Sequence, residues 1–347
     1  MSVSVEVAPL DAAAMRAARE HLDRLTKPPG SLGRLETIVV QLAGITGSAA
    51  PRIDRPAVVV FAADHGVTAQ GVSAYPSDVT AQMVANFARG GAAINVLARA
   101  AGAELVVVDV GVAAPEVAAP SRIRPGTRDM TLEPAMTRDE ALAAIGVGRN
   151  VAGGLVADGC DALALGEMGI GNTTAASALV AALTGLAPAE VTGRGTGLDA
   201  HAVRHKVTVI ETALQRHRPS PDDPLGALAA VGGLEIAALV GAMVAGAEAR
   251  IPVLLDGFIT GAAALVAVGI VPNLGPRLIA SHRSPEPGHR VVLERLGLEP
   301  LLDLDLRLGE GSGATLALPL IRAATRILEE MATFDSAGVS GPVANDG

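Results

Sequence analysis

Apolar runs and helical patterns alternate along most of the chain. The run at 57–63, Ala-Val-Val-Val-Phe-Ala-Ala, is typical of a strand that is buried on both faces of a parallel sheet. Strands that alternate with helices predict an α/β protein whose mostly parallel sheet is covered by helices on both faces. Further apolar runs lie at 104–110, 161–165, 251–255 and 276–280. Helical patterns fill the intervals at 78–99, 137–156, 173–184, 199–217 and 225–249.

Helices are also predicted near both ends of the chain. Asp11 can cap a helix that runs to about Leu25, and another helix is expected at 314–333, after a glycine-rich segment. The last residues, from about Ser336, are rich in Gly, Ser and Pro, and we expect them to form a flexible tail.

Two stretches, 227–249 and 253–271, are apolar enough to raise the question of a membrane span. The first contains Glu235 and Glu248, the second contains Asp256, and both are rich in Gly and Ala. Because charged side chains are costly within a bilayer, we interpret both stretches as buried elements and expect no association with a membrane.

Composition and charge narrow the possible functions. The chain has 347 residues, half of them apolar, and a net charge of −9. With four Phe, one Tyr, no Trp and no basic run, it lacks the features that attract a nucleic acid and stack on its bases. Cys160 is the single cysteine, and the N-terminus shows no signal-peptide pattern, so we expect a cytoplasmic protein without an intramolecular disulfide.

Polar residues follow the predicted strands, and glycine follows most of these polar residues. Because ligands bind beyond the carboxyl ends of parallel strands, we expect these groups to line one crevice. Polar residues also mark strand ends where there is no site, so the pattern alone leaves both interpretations open. The residues are Asp64-His65, Asp109, Glu167, Asp256 and Ser281-His282.

The segment 166–174, Gly-Glu-Met-Gly-Ile-Gly-Asn-Thr-Thr, stands between a predicted strand and a predicted helix. Its glycines allow backbone N–H groups to approach a ligand, and the N-terminus of a helix attracts anions. Glu167 adds a carboxyl group, which suggests chemistry on a phosphorylated substrate. The segment lacks the Lys-Ser/Thr of a P-loop and matches the dinucleotide fingerprint only in part, so a purely structural turn is the alternative.

A second carboxyl group lies between glycines in the segment 308–314, Leu-Gly-Glu-Gly-Ser-Gly-Ala. Glu310 on such a loop is a candidate general base, although a solvated glutamate in a turn has the same pattern. Tyr75, the only tyrosine, precedes a predicted helix that places Gln82 and Asn86 on one face. A ring and an amide at such a corner suit a planar heterocycle, and ordinary packing of the tyrosine is the alternative.

Other catalytic patterns are weak. Asp64-His65 has no second carboxylate–His pair to complete a metal site, and His201 and His205 have metal-ligand spacing without the accompanying glutamate. We therefore expect no metal and no other cofactor, and we find no Gly-x-Ser-x-Gly motif of a hydrolase. Lys27 and Lys206 are the only lysines among 27 basic residues, and both adjoin motif-like segments, by chance or as compact point charges.

Several segments of the chain occur in an order that is highly specific, although each one alone is only moderately so. They are 26–33, 63–67, 75–80, 89–95, 166–174, 193–197, 281–282 and 308–313. Together they resemble the nicotinate-nucleotide–dimethylbenzimidazole phosphoribosyltransferase family, over about residues 22 to 333. Ser312 is a minor departure, at a position where threonine would be equally familiar.

The resemblance implies a Rossmann-like, mostly parallel sheet flanked by helices, with a small helical domain built from the chain ends. By the same resemblance, we expect residues 29–312 to form a large α/β catalytic domain. Residues 1–28 and 313–335 would form the small domain, and 336–347 a flexible tail. The family also implies a homodimer.

The family's reaction transfers the phosphoribosyl group of nicotinate mononucleotide to 5,6-dimethylbenzimidazole or a related base. It yields α-ribazole 5′-phosphate and nicotinate, for the lower ligand of cobalamin. The acceptor must lose an N–H proton, and the resemblance assigns that step to Glu310, with Glu167 stabilising positive charge near the ribose. Phosphate and ribose would contact Gly169, Gly171, Asn172, Thr173, Lys206 and Arg194, and the benzimidazole would contact Tyr75, Gln82, Met83 and Leu308.

Two other functions stay open on the sequence. Another α/β enzyme, such as a nucleotide-dependent oxidoreductase, would need a dinucleotide fingerprint after the first strand, and 64–67 is not one. A non-catalytic relative that binds a base or a nucleotide would be favoured by the loss of Glu310 or Glu167, and both are present.

Overall fold

The computed structural model describes residues 5–114, 119–195 and 197–340, and its centre is a five-stranded sheet. The strands are β1 (Pro56–Ala63), β2 (Glu104–Gly111), β3 (Ala162–Met168), β4 (Val253–Leu255) and β5 (Leu278–Ala280). All neighbouring strands are parallel, and their order is β2-β1-β3-β4-β5. All five predicted strands are present, and the predicted α/β fold is confirmed.

The side chains of β1 show why the strands read as continuous apolar runs. Every residue of β1 is buried. Because successive side chains of a strand point to opposite faces, Val59 and Phe61 belong to one core cluster, and Val58 and Val60 belong to the other. Helices therefore cover the sheet on both faces, and no position of this strand tolerates exposure to water.

The helices of the N-terminal half are α1 (Ala12–Arg24), α2 (Arg34–Thr46), α3 (Val79–Ala88), α4 (Ala93–Ala101), α5 (Arg138–Ala157), α6 (Asn172–Thr184) and α7 (Pro188–Val191). Those of the C-terminal half are α8 (Ala200–His217), α9 (Pro224–Val231), α10 (Leu234–Glu248), α11 (Phe258–Ile270), α12 (Pro287–Leu296), α13 (Ser312–Glu330) and α14 (Phe334–Ala337). Helices α5, α6, α9, α10 and α11 pack on one face of the sheet. Helices α2, α4 and α13 pack on the other.

Two predicted helices, 78–99 and 225–249, are wrong as single elements because the structure divides each into two. The first is interrupted at Gly90, whose φ of +77° lies in the left-handed region that favours glycine. The second is interrupted at Gly232 and Gly233, between α9 and α10. The predictions that correspond to α5, α6 and α8 are confirmed.

The two apolar stretches that raised the question of a membrane contain α10 and α11. Nearly every residue of both helices is buried inside the fold, as the sequence predicted. Within the part of the chain that the structure describes, no helix combines the length and apolar character that crossing a bilayer requires.

The helices near the chain ends share a small core of their own, formed by α1, α2 and the last turns of α13. The first turns of α13 pack instead against the sheet. The domain boundaries at residues 28 and 312 stay a prediction. Residues 341–347 of the predicted tail 336–347, and Thr196 within the motif 193–197, lie outside the described residues.

Candidate active site

Three of the polar residues that follow strands line one cleft. Glu167 at the end of β3, Asp256 after β4 and His282 after β5 all contribute to its wall. Asp109 lies elsewhere, because β2 is an edge strand and the Asp109 carboxylate pairs with Arg122 over 2.6 Å. The crevice expected from the sequence therefore forms at the carboxyl ends of β3, β4 and β5.

Asp64 and His65, which follow β1, lie behind this cleft. The Nε2 atom of His65 is 2.6 Å from a carboxylate oxygen of Glu235, and both side chains are buried. Burial disfavours the imidazolium, but the charge and hydrogen bond of Glu235 outweigh it and raise the pKa of His65. A Cβ placed at Gly169 would lie 3.4 Å from the His65 ring, so this ion pair supports the glycine turn from behind.

The chain adds β2 on one side of β1 and β3 on the other side. The position between β1 and β3 is therefore the topological switch point of the sheet. In open α/β sheets, ligands bind in the crevice at this position. The loop that contains Gly311 crosses it, and a Cβ placed at Gly311 would lie 3.2 Å from Cα of Gly166 and 3.4 Å from Val58 Cγ1. The fold thus brings the two glycine-flanked glutamates together, although they are far apart in sequence.

Glu310 lies in this loop with a left-handed backbone conformation, φ +63°, between two glycines that are also left-handed. Its side chain is buried, and the N–H of Ile94 at the start of α4 donates to Oε2 over 3.4 Å. Its own N–H donates to the carbonyl oxygen of Glu167 over 3.2 Å. Burial and, to a smaller extent, the charge of Asp256 raise the pKa of Glu310. A raised pKa makes its carboxylate a stronger base.

Glu167, like Glu310, is buried. Burial and the nearby charges of Asp256, Glu235 and Glu310 raise its pKa well above the ordinary value. The side-chain amide of Asn172 donates a hydrogen bond to Oε2 of Glu167. The surroundings therefore favour a neutral carboxylic acid at this position when the cleft contains no cation.

The turn before α6 has the geometry of an anion site. Gly171 is left-handed, φ +95°, and caps the helix without a side chain, while Gly169, Asn172 and Thr173 line the cleft. Lys206 is buried behind this turn, and its Nζ donates to Thr173 Oγ1 over 2.7 Å. Burial lowers the pKa of Lys206 to about 8. Three of the residues predicted for the phosphate and ribose, Gly169, Asn172 and Thr173, thus line the cleft, and Lys206 contacts Thr173 from behind.

Arg194 lines a neighbouring cavity, and its Nε donates to a backbone carbonyl in its own loop over 2.8 Å. The two cavities share Gly195, Glu286 and Arg307 in their walls. A ligand in the strand-end cleft would have to extend past these residues to contact Arg194, so the predicted contact of Arg194 stays a prediction.

The four residues predicted for the benzimidazole are only partly brought together. Leu308 lines the strand-end cleft and is 56% exposed. Tyr75, 54% exposed, lies before α3, and Gln82 and Met83 lie on α3. None of these three belongs to the cleft wall that the described residues form. Their contacts with an acceptor stay a prediction.

Glu286, Arg307 and Ser284 also line the cleft, and the sequence did not single them out. One carboxylate oxygen of Glu286 accepts the N–H of Gly195 over 2.9 Å, whereas its other oxygen is buried without a hydrogen-bond partner among the described residues. Arg307 directly precedes Leu308, so the glycine-flanked loop could have pointed to it. Nothing in the local sequence marks Glu286.

Other parts of the molecule offer less chemistry. Among the described residues, no group of three or more His, Cys, Asp or Glu side chains is placed to hold a metal ion. The ring of His205 is 2.6 Å from the carbonyl oxygen of Gln70. A wider groove runs along α5 and α10, but it is lined mainly by small and apolar residues, and its Arg149 and Glu248 pair with each other over 2.8 Å.

Known proteins resemble this chain over almost its whole length. A family model described as phosphoribosyltransferase matches residues 7–339. A protein of Chloroflexus aggregans named nicotinate-nucleotide–dimethylbenzimidazole phosphoribosyltransferase is 57% identical over 339 residues, which is 96% of each chain. A Roseiflexus protein of the same name is 56% identical over 343 residues, which is 98% of this chain and 97% of that one.

Solved structures give the same result. The crystal structure of CobT from Thermus thermophilus has a TM-score of 0.92 and 52% sequence identity, and the match covers 95% of this chain and 100% of that one. The likeness therefore includes the fold as well as the sequence.

Proposed function

The chain belongs to the nicotinate-nucleotide–dimethylbenzimidazole phosphoribosyltransferase family, and from this premise we propose that it transfers the phosphoribosyl group of nicotinate mononucleotide to 5,6-dimethylbenzimidazole. The products are α-ribazole 5′-phosphate and nicotinate, and the reaction serves lower-ligand synthesis for cobalamin. The observation that carries the proposal is the hydrogen bond from the Glu310 N–H to the Glu167 carbonyl oxygen, 3.2 Å, at the switch point of the sheet. It fixes two buried carboxyl groups beside an anion-binding turn.

The phosphate of the nucleotide would lie on the turn before α6. The helix dipole favours a negative charge there. Gly169, Gly171, Asn172 and Thr173 form this turn, and the charge of Lys206 behind Thr173 would complete the site. This arrangement would hold the ribose above the ends of β3 and β4.

Glu310 would act as the general base. The pyridinium ring leaves as a neutral molecule and needs no acid, but the neutral benzimidazole must lose its N–H proton when its other nitrogen attacks. Burial raises the pKa of Glu310 and strengthens it as a base for this step. A positioned base typically contributes about 10²–10⁴-fold in rate.

Glu167 would respond to the charge of the substrate. Without a ligand its surroundings favour the neutral acid, which donates a hydrogen bond but stabilises little positive charge. A bound pyridinium next to it would lower its pKa, because an opposite charge favours the ionised form. The resulting carboxylate would stabilise the positive charge that develops at the anomeric carbon.

Tyr75, Gln82, Met83 and Leu308 would hold the benzimidazole next to Glu310. The Ile94 N–H that binds the Glu310 carboxylate lies at the start of α4, close in sequence to α3, which carries Gln82 and Met83. Leu308 adjoins the same loop from the other side. Arg194 would contact the phosphate or ribose only if the nucleotide extends towards the neighbouring cavity.

We also infer that the enzyme is a homodimer without a metal or other cofactor and that it works in the cytoplasm. The family resemblance supports the dimer, and the single cysteine suits a reducing compartment. Light scattering on the purified protein tests the homodimer. A mass of one chain would contradict it.

The test of the function is the product that the purified enzyme makes. Nicotinate mononucleotide and dimethylbenzimidazole are incubated with the wild type, and the products are separated by chromatography. We expect nicotinate and ribazole phosphate in equal amounts, with an α-configured anomeric carbon by NMR, as one in-line displacement on the β-nucleotide requires. Nicotinate released without ribazole phosphate would indicate a hydrolase, and tight nucleotide binding without product would indicate a binding protein.

A further inference from the structure

Asp256 connects the end of one strand to the loop that carries Glu310. Its carboxylate follows β4 and is 2% exposed. Oδ1 accepts the N–H groups of Gly313 and Ala314, over 2.6 and 3.1 Å, and Oδ2 accepts the N–H of Gly311 over 3.2 Å. These N–H groups belong to the first turn of α13 and the residue before it, where a helix has no internal acceptors for them.

The loop needs such an anchor because its backbone is strained. Gly309, Glu310 and Gly311 have φ values of +83°, +63° and +84°. Two of these positions are glycine, but Glu310 has a side chain that disfavours the left-handed region. A strained residue of this kind persists only when its surroundings hold it in place.

Other hydrogen bonds also hold the loop. The N–H of Ser312 donates to the Gly309 carbonyl oxygen over 3.0 Å, that of Thr315 to the Gly311 carbonyl oxygen over 2.9 Å, and that of Ile94 to the Glu310 carboxylate over 3.4 Å. The N–H of Glu310 donates to the Glu167 carbonyl oxygen over 3.2 Å, and the Thr315 hydroxyl donates to the Gly311 carbonyl oxygen over 2.8 Å. Both are single bonds between neutral groups. Asp256 provides three bonds to one anionic acceptor, and hydrogen bonds to charged groups are the stronger kind.

We propose that Asp256 is a positioning residue for the transfer reaction, because it holds the 309–313 turn so that the Glu310 carboxylate faces the acceptor N–H. The inference deepens the proposed function and rests on it, since it takes Glu310 as the base. Asp256 itself need not touch the reacting atoms. Its place after β4 puts a third buried acid next to Glu167 and Glu310.

Asp256 also has an electrostatic effect on the base. Burial raises the pKa of Asp256, opposed by the charge of His282 and by the three N–H donors, and the charge of its ionised form contributes to the raised pKa of Glu310. Removing that charge should lower the pKa of Glu310 and make it a weaker base. Among the described residues, the charges of Asp256 after β4 and Glu167 from β3 interact with Glu310. His282 after β5 lies 3.6 Å from Asp256, and Arg307 of the Glu310 loop lines the same cleft as Asp256.

The experiment compares the wild type with Asp256→Asn, which keeps the size of the side chain but offers one acceptor oxygen instead of two. Calorimetry with nicotinate mononucleotide counts the binding sites, and kcat is expressed per site, so that unfolded protein does not affect it. We expect kcat to fall about 10²-fold, the effect of a displaced catalytic group. The dissociation constant of the nucleotide should stay within a few fold.

The pH profile separates positioning of the base from a merely structural role. The acceptor's own titration is common to all the proteins, so a difference between profiles of kcat/KM for dimethylbenzimidazole reports on the enzyme. We expect the acidic limb of the Asp256→Asn profile to lie at lower pH than that of the wild type. Asp256→Glu keeps the charge but moves it, so its kcat should fall while its acidic limb stays in place.

Asp109→Asn is the matched control. Asp109 lies near the end of β2 and also accepts two backbone N–H groups, from Gly111 and Val112, over 3.0 and 2.8 Å. It lies outside the cleft, so this variant should lose stability but keep the wild-type kcat and pH profile.

The inference is overturned if either Asp256 variant has the wild-type kcat per binding site, or if the Asn profile coincides with that of the wild type. If Asp256→Asn does not fold, the kcat of Asp256→Glu decides. Failure of the proposed function itself is distinct, because the wild type would then form no ribazole phosphate.

Discussion

Lys206 is completely buried, and its side chain changes charge not far from neutral pH. Its Nζ donates to Thr173 Oγ1 over 2.7 Å, directly behind the turn where we place the phosphate. Burial lowers its pKa to about 8, so the lysine is charged below that pH and neutral above it. The charge of Lys206 would stabilise a phosphate dianion on the turn only below about pH 8.

We therefore predict that the KM of the wild type for nicotinate mononucleotide rises as the pH passes upward through about 8. Lys206→Met keeps the buried apolar stem and removes the charge. It should raise KM at pH 7 by roughly 10- to 100-fold, the loss of one charge-assisted hydrogen bond of about 1.5–3 kcal/mol. Because Lys206→Met has no lysine charge to lose, its KM should not rise as the pH passes upward through about 8.

Lys27→Met is the control for Lys206, because Lys27 is the other lysine and is also buried. It pairs with Glu36 over 2.8 Å, away from the cleft. The KM of Lys27→Met for nicotinate mononucleotide should equal that of the wild type. Equal KM values for Lys206→Met and the wild type at pH 7 would remove Lys206 from the phosphate site.

Among single residues, the sequence pointed to those candidate site residues that lie within a recognisable motif. Glu167 and Glu310 each stand beside glycines in one short segment, and the structure brings both segments to the same place. The partnership of Asp256 with the Glu310 loop could not be predicted, because it depends on which strand lies next to which. Glu286 reaches the cleft from a loop without a motif of its own.

At the scale of elements, α5 and α10 pack so closely that glycine is required at their contact. A Cβ placed at Gly148 of α5 would lie 1.8 Å from the carbonyl oxygen of Ala238, and one at Gly241 of α10 would lie 1.9 Å from that of Ile145. The two helices cover one face of the sheet, so their separation sets the position of the core beneath them.

We predict that Gly148→Ala lowers the free energy of unfolding by about 1–3 kcal/mol, the usual cost of overpacking. Gly153→Ala on the same helix is the control, since a Cβ there would meet nothing within 4 Å. It should stabilise the protein by about 0.5–1 kcal/mol, because alanine is a better helix residue than glycine. Urea denaturation measures both, and a Gly148→Ala variant as stable as Gly153→Ala would contradict the packing.

The helices also show where periodicity fails as a guide. The patterns at 78–99 and 225–249 stay apolar across their glycines, so the sequence alone joined two helices in each case. Each break lies at a pair of glycines, Gly90-Gly91 and Gly232-Gly233, and such a pair is a turn signal that the periodicity alone does not register. The break at Gly90 has a consequence for the site, because it lets α4 begin close enough for its Ile94 N–H to reach Glu310.

At the scale of the whole molecule, the order of the strands determines where the crevice lies. The chain adds β2 on one side of β1 and then β3, β4 and β5 on the other, which opens a crevice at the reversal. The alternation of strands and helices predicted the parallel sheet, but no local pattern specifies this order. We propose in addition that residues 1–28 and 313–335 form a small helical domain, since α1 and the end of α13 share a separate core, to which α2 also contributes.

We infer that Glu310 is the base of a phosphoribosyl transfer at this crevice. The most direct test compares the initial rate of ribazole phosphate formation by the wild type and by Glu310→Gln, at equal occupancy by nicotinate mononucleotide. We predict a rate lower by about 10²–10⁴-fold for the variant, with the nucleotide bound about as tightly as before. Equal rates for the two proteins would contradict the claim, because an amide cannot accept the proton of the acceptor.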